Sequence, residues 1–166
     1  MGTMITPADL TAAGSAKRTA EQGQLFEDGK GRCFMYVKNE GTASTAAGTV
    51  VGHFSTTLAD GAISAVATTV IECGLGSVMP VAGVALSVIA EDEYGWIQVK
   101  GRNIGIILSD GGVAAGDALV CDGGATPTFQ ADTAVAGEEH GVFGFSLVAD
   151  DASSIPANSA VINCVS

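Results

Sequence analysis

GVALSVIAEDEYGWIQVK, residues 83–100, is the stretch whose reading decides the fold. It opens on a short apolar run, GVALSVI (83–89), and closes on GWIQVK (95–100), which alternates. In an extended chain successive side chains point to opposite faces, so Trp96, Gln98 and Lys100 share one face and Gly95, Ile97 and Val99 the other. Between the two runs lie Glu91, Asp92 and Glu93, an acidic cluster that reads as a solvated turn keeping strand ends soluble. Short strands joined by acidic, glycine-containing turns are the unit of an antiparallel sheet.

The same texture extends in both directions. Further candidate strands are CFMYVK (33–38), TVVGHF (49–54), VATTVIE (66–72), IGIIL (104–108), DALVC (117–121), GVFGFSLV (141–148) and AVINCV (160–165). Asn39-Glu40-Gly41, Ala59-Asp60-Gly61, Asp110-Gly111-Gly112 and Asp122-Gly123-Gly124 separate them, and Asp-Gly pairs supply the positive φ that tight hairpins need. The fold class expected is all-β, a β-sandwich or a small β-barrel. Composition agrees: 47% of the 166 residues are apolar, mostly Ala and Val, which excludes a disordered chain, while 23 glycines speak against a helical bundle.

The text also repeats. YVKNEGTASTAAGTVV (36–51) matches ILSDGGVAAGDALV (107–120), and GVALSVIAED (83–92) echoes GFSLVADD (144–151), each followed by a last strand, WIQVK or AVINCV. Either two related β-units pack together, 33–102 and 103–166, or Ala/Gly/Val-rich segments resemble each other by chance. Residues 1–32 differ from the rest, lacking a strand period and carrying balanced charge. Thr6 and Pro7 fit the cap and first position of a short helix. The segment reads as an N-terminal arm, either docked on a neighbour upon assembly or a flexible tail.

Charge is low in density and one-sided. Only 15% of residues are charged, yet the net charge is −11. The last basic residue is Arg102; beyond it stand Asp110, Asp117, Asp122, Asp132, Glu138, Glu139, Asp150 and Asp151 with no Lys or Arg. Such a body repels phosphate and anionic lipid, so neither nucleic acid nor a membrane is an expected partner. The start, MGTMITPADL, lacks the pattern of a signal peptide, and no apolar run is long enough to span a bilayer.

Chemistry is sparse. Cys33, Cys73, Cys121 and Cys164 stand 40 or more residues apart without a CxxC pair, and read as buried reduced thiols. His53 falls in a candidate strand, and His140 follows Glu138 and Glu139 in a solvated loop. No GxSxG elbow occurs, the lone Gly74-Leu75-Gly76 lacks the context of a phosphate loop, and the acidic clusters lack the spacing of an EF-hand. No enzyme, cofactor or metal site is expected. An interface is: Trp and Tyr are enriched at interfaces, and Trp96 shares its face with polar residues. Lys100-Gly101-Arg102 is a basic knot suited to an acidic neighbour. The residues expected at a protein interface are Ile5 and Leu10 in the arm, and Tyr94, Trp96, Lys100 and Arg102 in the body.

The segments FMYVKNEG (34–41), AAGTVV (46–51), AGVAL (82–86), YGWIQVKG (94–101), VAAGDALV (113–120) and GVFGFSL (141–147) together resemble small head proteins of tailed bacteriophages, the decoration or cement proteins on the outside of the capsid. The likeness spans about residues 33–166, and YGW-x-QVKG followed by AGD-x-LV is its most specific part. The resemblance implies a β-rich body, homo-oligomers (often trimers), contact with the major capsid protein, and stabilisation of the shell against internal DNA pressure. It places the protein in the virion after assembly in the host cytoplasm, and carries no catalytic or ligand residues. The alternatives are a tail or fibre-base protein of the same architecture and a cellular β-domain that binds a small ligand or glycan through Glu93, Tyr94 and Trp96.

Overall fold

A ten-stranded sheet and one short helix make up the computed structural model, which describes residues 7–17, 19–39, 47–48, 50–53, 69–72, 81–104, 113–121, 129–131, 144–147 and 159–164. The helix α1 is Pro7–Thr11. The strands are β1 (Leu25–Glu27), β2 (Cys33–Asn39), β3 (Val50–His53), β4 (Thr69–Glu72), β5 (Val81–Ala85), β6 (Tyr94–Ile104), β7 (Ala118–Cys121), β8 (Phe129–Ala131), β9 (Gly144–Ser146) and β10 (Ser159–Asn163). They run in the order β1-β2-β4-β3-β5-β6-β10-β9-β7-β8, antiparallel except for the β2–β4 pair, and the sheet as a whole stays open.

The strand β6 organises this sheet. It pairs with β2 from Tyr94 to Lys100, with β5 at Ile97 and Gln98, and with β10 from Lys100 to Ile104. The pairings β2–β4, β4–β3, β3–β5, β5–β6 and β6–β2 form a circuit of five strands. Inside it pack Val37, Val51, Ala82, Ala85, Ile89, Ile97 and Val99, all buried. On the opposite face of β2 and β6 lies a second cluster of Leu10, Phe34, Tyr36 and Trp96. Both strands are therefore buried on both faces. Alternation in CFMYVK and GWIQVK sorts the aromatic set from the aliphatic one.

The repeat in the sequence is a repeat in the pairing. In the first unit Val50 pairs with Val84 and Val51 with Gly83, while Val84 pairs with Gln98 and Ala85 with Ile97. In the second, Ala118 pairs with Phe145 and Leu119 with Gly144, while Phe145 pairs with Val161 and Ser146 with Ala160. Before each trio comes a glycine of the AAG motif at positive φ: Gly48 (84°) donates its N–H to Ala85 O at 2.8 Å, and Gly116 (93°) donates to Ser146 O at 2.8 Å. The tight approaches match as well. A Cβ on Gly83 would stand 2.5 Å from Gln98 O, and Val161 O confronts Gly144 in the same way. Thus β3–β5–β6 and β7–β9–β10 are two copies of one arrangement. They join where Lys100 pairs with Asn163.

Three expectations change on this ground. The boundary expected at 102/103 falls inside β6, because β10 returns to pair with residues 100–104 and the two units share that strand. The arm at 1–32 is, over its described part, docked on its own chain. The strand β1 pairs with β2, Ser15 bridges to Tyr94, and Leu10 fills the aromatic cluster. The run at 83–89 is strand only to Ala85, and beyond it Leu86–Glu93 is a loop tied to β2. There Asn39 Nδ2 donates to Ile89 O at 2.9 Å, and Lys38 pairs with Asp92 at 2.6 Å. The turns at 40–41, 59–61, 110–112 and 122–124 and the strand residues 105–108 lie outside the described residues.

Gly101 lets β6 continue from one unit into the next. Its φ is 93°, and a Cβ there would meet Gly31 O at 2.7 Å. Replacing Gly101 with Ala is expected to cost about 2–3 kcal/mol from left-handed strain and overpacking. Gly29→Ala, with open space around it, should stay within about 0.5 kcal/mol. Urea unfolding of both variants checks the contrast, and equal midpoints would refute it.

Candidate protein-docking face

The six residues expected at an interface separate into two groups. Leu10 and Trp96 are buried, 5% and 4% exposed, within the chain's own aromatic cluster. Tyr94 is half-buried and stacks on Tyr36 at 6.0 Å, while Tyr36 and Trp96 meet at 5.1 Å, tilted by 55°. Lys100 and Arg102 are exposed on β6. Ile5 lies outside the described residues. Leu10, Tyr94 and Trp96 therefore belong to intrachain packing, and the reason is the N-terminal segment. It closes over β2 and β6 with backbone bonds from Gly14 N to Val88 O (2.7 Å) and between Ser15 and Tyr94 (3.0 and 2.9 Å), and Ser87 Oγ donates to Ala12 O at 2.7 Å.

Polar groups near this cluster are spent on structure. Tyr36 Oη accepts from Thr19 N at 3.1 Å and shares a 3.0 Å bond with Thr19 Oγ1. The amide of Gln98, the polar residue sharing the Trp96 face, is buried and donates to the carbonyls of Lys100 and Arg102 at 3.1 Å each. A polar residue beside Trp96 therefore did not mark an exposed face. Glu93 Oε2 accepts from Ala90 N at 3.3 Å, so the acidic turn caps its own loop. Burial pushes the Asp28 carboxyl up, but hydrogen bonds from the Arg32 side chain and from the Arg32 and Lys30 amides, with the Arg32 charge, hold it below the ordinary range. Among the described residues no three His, Cys, Asp or Glu side chains gather as a cation site, and no helix is long and apolar enough to cross a membrane. The His53 side chain, His140, Asp150 and Asp151 lie outside the described residues.

The exposed apolar surface lies instead on the second unit. Phe145 on β9 (53% exposed), Leu147 just after it (43%) and Val161 on β10 (41%) are exposed. Register aligns Arg102, Val161, Phe145 and Ala118 in one row across β6, β10, β9 and β7. The inner side of the same strands is buried through Leu119, Ala160 and Ile162. Leu25 and Val88 are exposed singly, which is ordinary for a soluble surface. Three neighbouring large apolar residues make a patch. Ala160, Val161 and Ile162 are apolar at consecutive positions, so periodicity could not say which side of β10 faces solvent, and no signal in the sequence pointed to this face.

No protein-family model matches the chain, and no curated protein is similar to it.

Cysteine chemistry is correspondingly muted. Cys33 packs partly buried against the aliphatic core, and burial pushes the Cys164 thiol up to about 12. Thiolate is the reactive form, so alkylation of Cys164 in the folded protein at pH 8 is expected about a thousand-fold slower than in urea. Mass spectrometry of the C-terminal peptide reads the rate, and equal rates in both states would overturn the burial. Trp96→Ala is expected to cost about 3–5 kcal/mol and Leu10→Ala about 2–4 kcal/mol, measured by urea unfolding. A cost near zero for either would place it outside the core.

Proposed function

We propose that this chain is a non-enzymatic structural protein of a bacteriophage virion, which decorates the outer capsid surface and stabilises the shell by contacts with the major capsid protein and with copies of itself. The observation that carries the proposal is the exposed apolar patch of Phe145, Leu147 and Val161, on a sheet whose β2, β5 and central β6 residues are largely buried. A protein that leaves such a patch on a rigid sheet is built to cover it against another protein. The resemblance of YGWIQVKG (94–101) and VAAGDALV (113–120) to phage head proteins supplies the kind of particle. The charge of −11 supports protein partners over packaged DNA or anionic lipid. Mechanistically, each copy buries apolar surface on the shell, and many modest contacts add through multivalency and mass action.

The glycan-binding alternative asks for an open aromatic platform, whereas Trp96 is buried and Tyr94 is stacked on Tyr36. A tail or fibre-base location keeps the same architecture and differs in copy number. Quantitative mass spectrometry of purified particles is the test. Copies on the scale of the major shell protein support capsid decoration, a handful per particle points to tail or fibre, and none overturns the virion reading. Removing residues 1–32 is expected to destabilise the β-body as well as attachment, because the described part of that segment packs on Phe34, Tyr36 and Trp96. A truncated chain with wild-type unfolding midpoint would contradict that packing.

A further inference from the structure

We infer that two Lys-Gly-Arg triplets of the chain, 30–32 and 100–102, form one cationic docking site for a short acidic segment of a partner protein.

The fold brings the triplets together at their glycines. Gly31 (φ 76°) and Gly101 (φ 93°) both take the left-handed conformation that glycine favours. They meet directly: a Cβ on Gly101 would stand 2.7 Å from Gly31 O, 3.0 Å from Arg32 Cα and 3.2 Å from Arg32 Cγ. Register then sets three of the side chains on one face. Lys100 pairs with Asn163 and Arg102 with Val161, both exposed residues of β10. The Arg32 guanidinium lies 5.5 Å over the ring of Phe34, and Phe34 pairs with Gln98, on the same side of β6 as Lys100. Lys30 is exposed in the turn that leads into β2.

Charge says what such a site takes. It holds four of the seven basic residues of a chain whose net charge is −11. Arg32 is fixed in place: Asp28 Oδ2 accepts from its Nε at 2.7 Å, and Asp28 Oδ1 accepts from the Lys30 and Arg32 amides at 3.1 Å each. Glu27 pairs with Cys33, which packs on the aliphatic core, and so stands on the other face. Lys30, Lys100 and Arg102 are exposed around the anchored Arg32. Arg102 offers a fork of donors that matches a carboxylate, and the two lysines offer mobile point charges. At physiological ionic strength charges are screened over about 8 Å. A compact pair of carboxylates therefore feels the cluster, while the acids elsewhere on the chain are screened from it. Nucleic acid runs beyond the cluster and meets the acid-rich remainder, which repels it. A short acidic protein segment is the ligand that fits both the site and its surroundings.

This goes beyond the role in a particle, and the two fail separately: copy number in virions tests one, peptide binding by the purified chain the other. The probe is a fluorescein-labelled peptide of alternating glutamate and glycine, titrated with the full chain and read by fluorescence anisotropy. Saturable binding is expected at about 20 mM salt, weakening several-fold at about 150 mM. Lys100→Glu and Arg102→Glu should each raise the dissociation constant about ten-fold, and Lys30→Gln about three-fold. Lys17→Glu makes the same charge change at an exposed position near the Tyr94 end of β6, beside Ser15, and should leave the constant within about two-fold. All four positions are exposed, and urea midpoints verify that the variants fold as wild type does. Absence of saturable binding to the wild-type chain overturns the inference, as does equal binding of the glutamine counterpart of the peptide. Equal weakening by Lys17→Glu would reduce the effect to net charge and overturn the site. Tighter binding of an oligothymidylate would make this a nucleic-acid site instead.

Discussion

Everything described here depends on one strand being satisfied on all sides. The strand β6 runs eleven residues, Tyr94–Ile104, and is hydrogen-bonded along both edges at its centre. It sends Ile97 and Val99 into an aliphatic core and Trp96 into an aromatic one. Burying a strand on both faces removes more apolar area from water than a half-exposed strand does, but every polar group along it then needs a partner. The Gln98 amide shows how that demand is met, by donating to the carbonyls of Lys100 and Arg102 further along the same strand. With both edges and both faces committed, β6 cannot shift register without turning the aromatic set into the aliphatic core.

That commitment explains the N-terminal segment. The Phe34, Tyr36 and Trp96 face is too large and apolar to leave to water, and β2 and β6 offer no further strand to cover it. A short helix, an irregular stretch and the small strand β1 do so instead, held by Leu10 and by backbone bonds to Val88 and Tyr94. What reads as a separate arm in composition is the lid of the first unit. Among the described residues, the second unit repeats the strands without repeating the lid. Among those residues, the asymmetry between two otherwise matched units leaves one sheet face buried by its own chain and Phe145, Leu147 and Val161 exposed on the other.

Several features of this arrangement were legible in the sequence because they rest on local rules. Period-two alternation in GWIQVK fixed which residues share a face. The AAG segments read in the sequence only as part of a repeat, and the structure shows Gly48 and Gly116 at positive φ ahead of β3 and β7. Their repetition, with GVAL echoed by GFSL, announced two units of one design. The all-β class followed from short strands and glycine turns, and the open ten-stranded sheet agrees with it. The strands β1 and β8 escaped notice because three residues carry no usable period.

What only the tertiary structure decided is which faces are covered. Sequence alternation placed Trp96 beside Gln98, but not that Leu10 of an N-terminal helix would pack on Trp96 or that the Gln98 amide would be paired inside the strand. It placed Lys100 and Arg102 on β6, but not that β10 would align Val161 and Phe145 beside Arg102. Alternation is a property of one strand and is fixed by backbone geometry. Burial is a property of what packs against it, and that depends on contacts between residues as far apart as Leu10 and Trp96, or Arg102 and Val161, that no local pattern records.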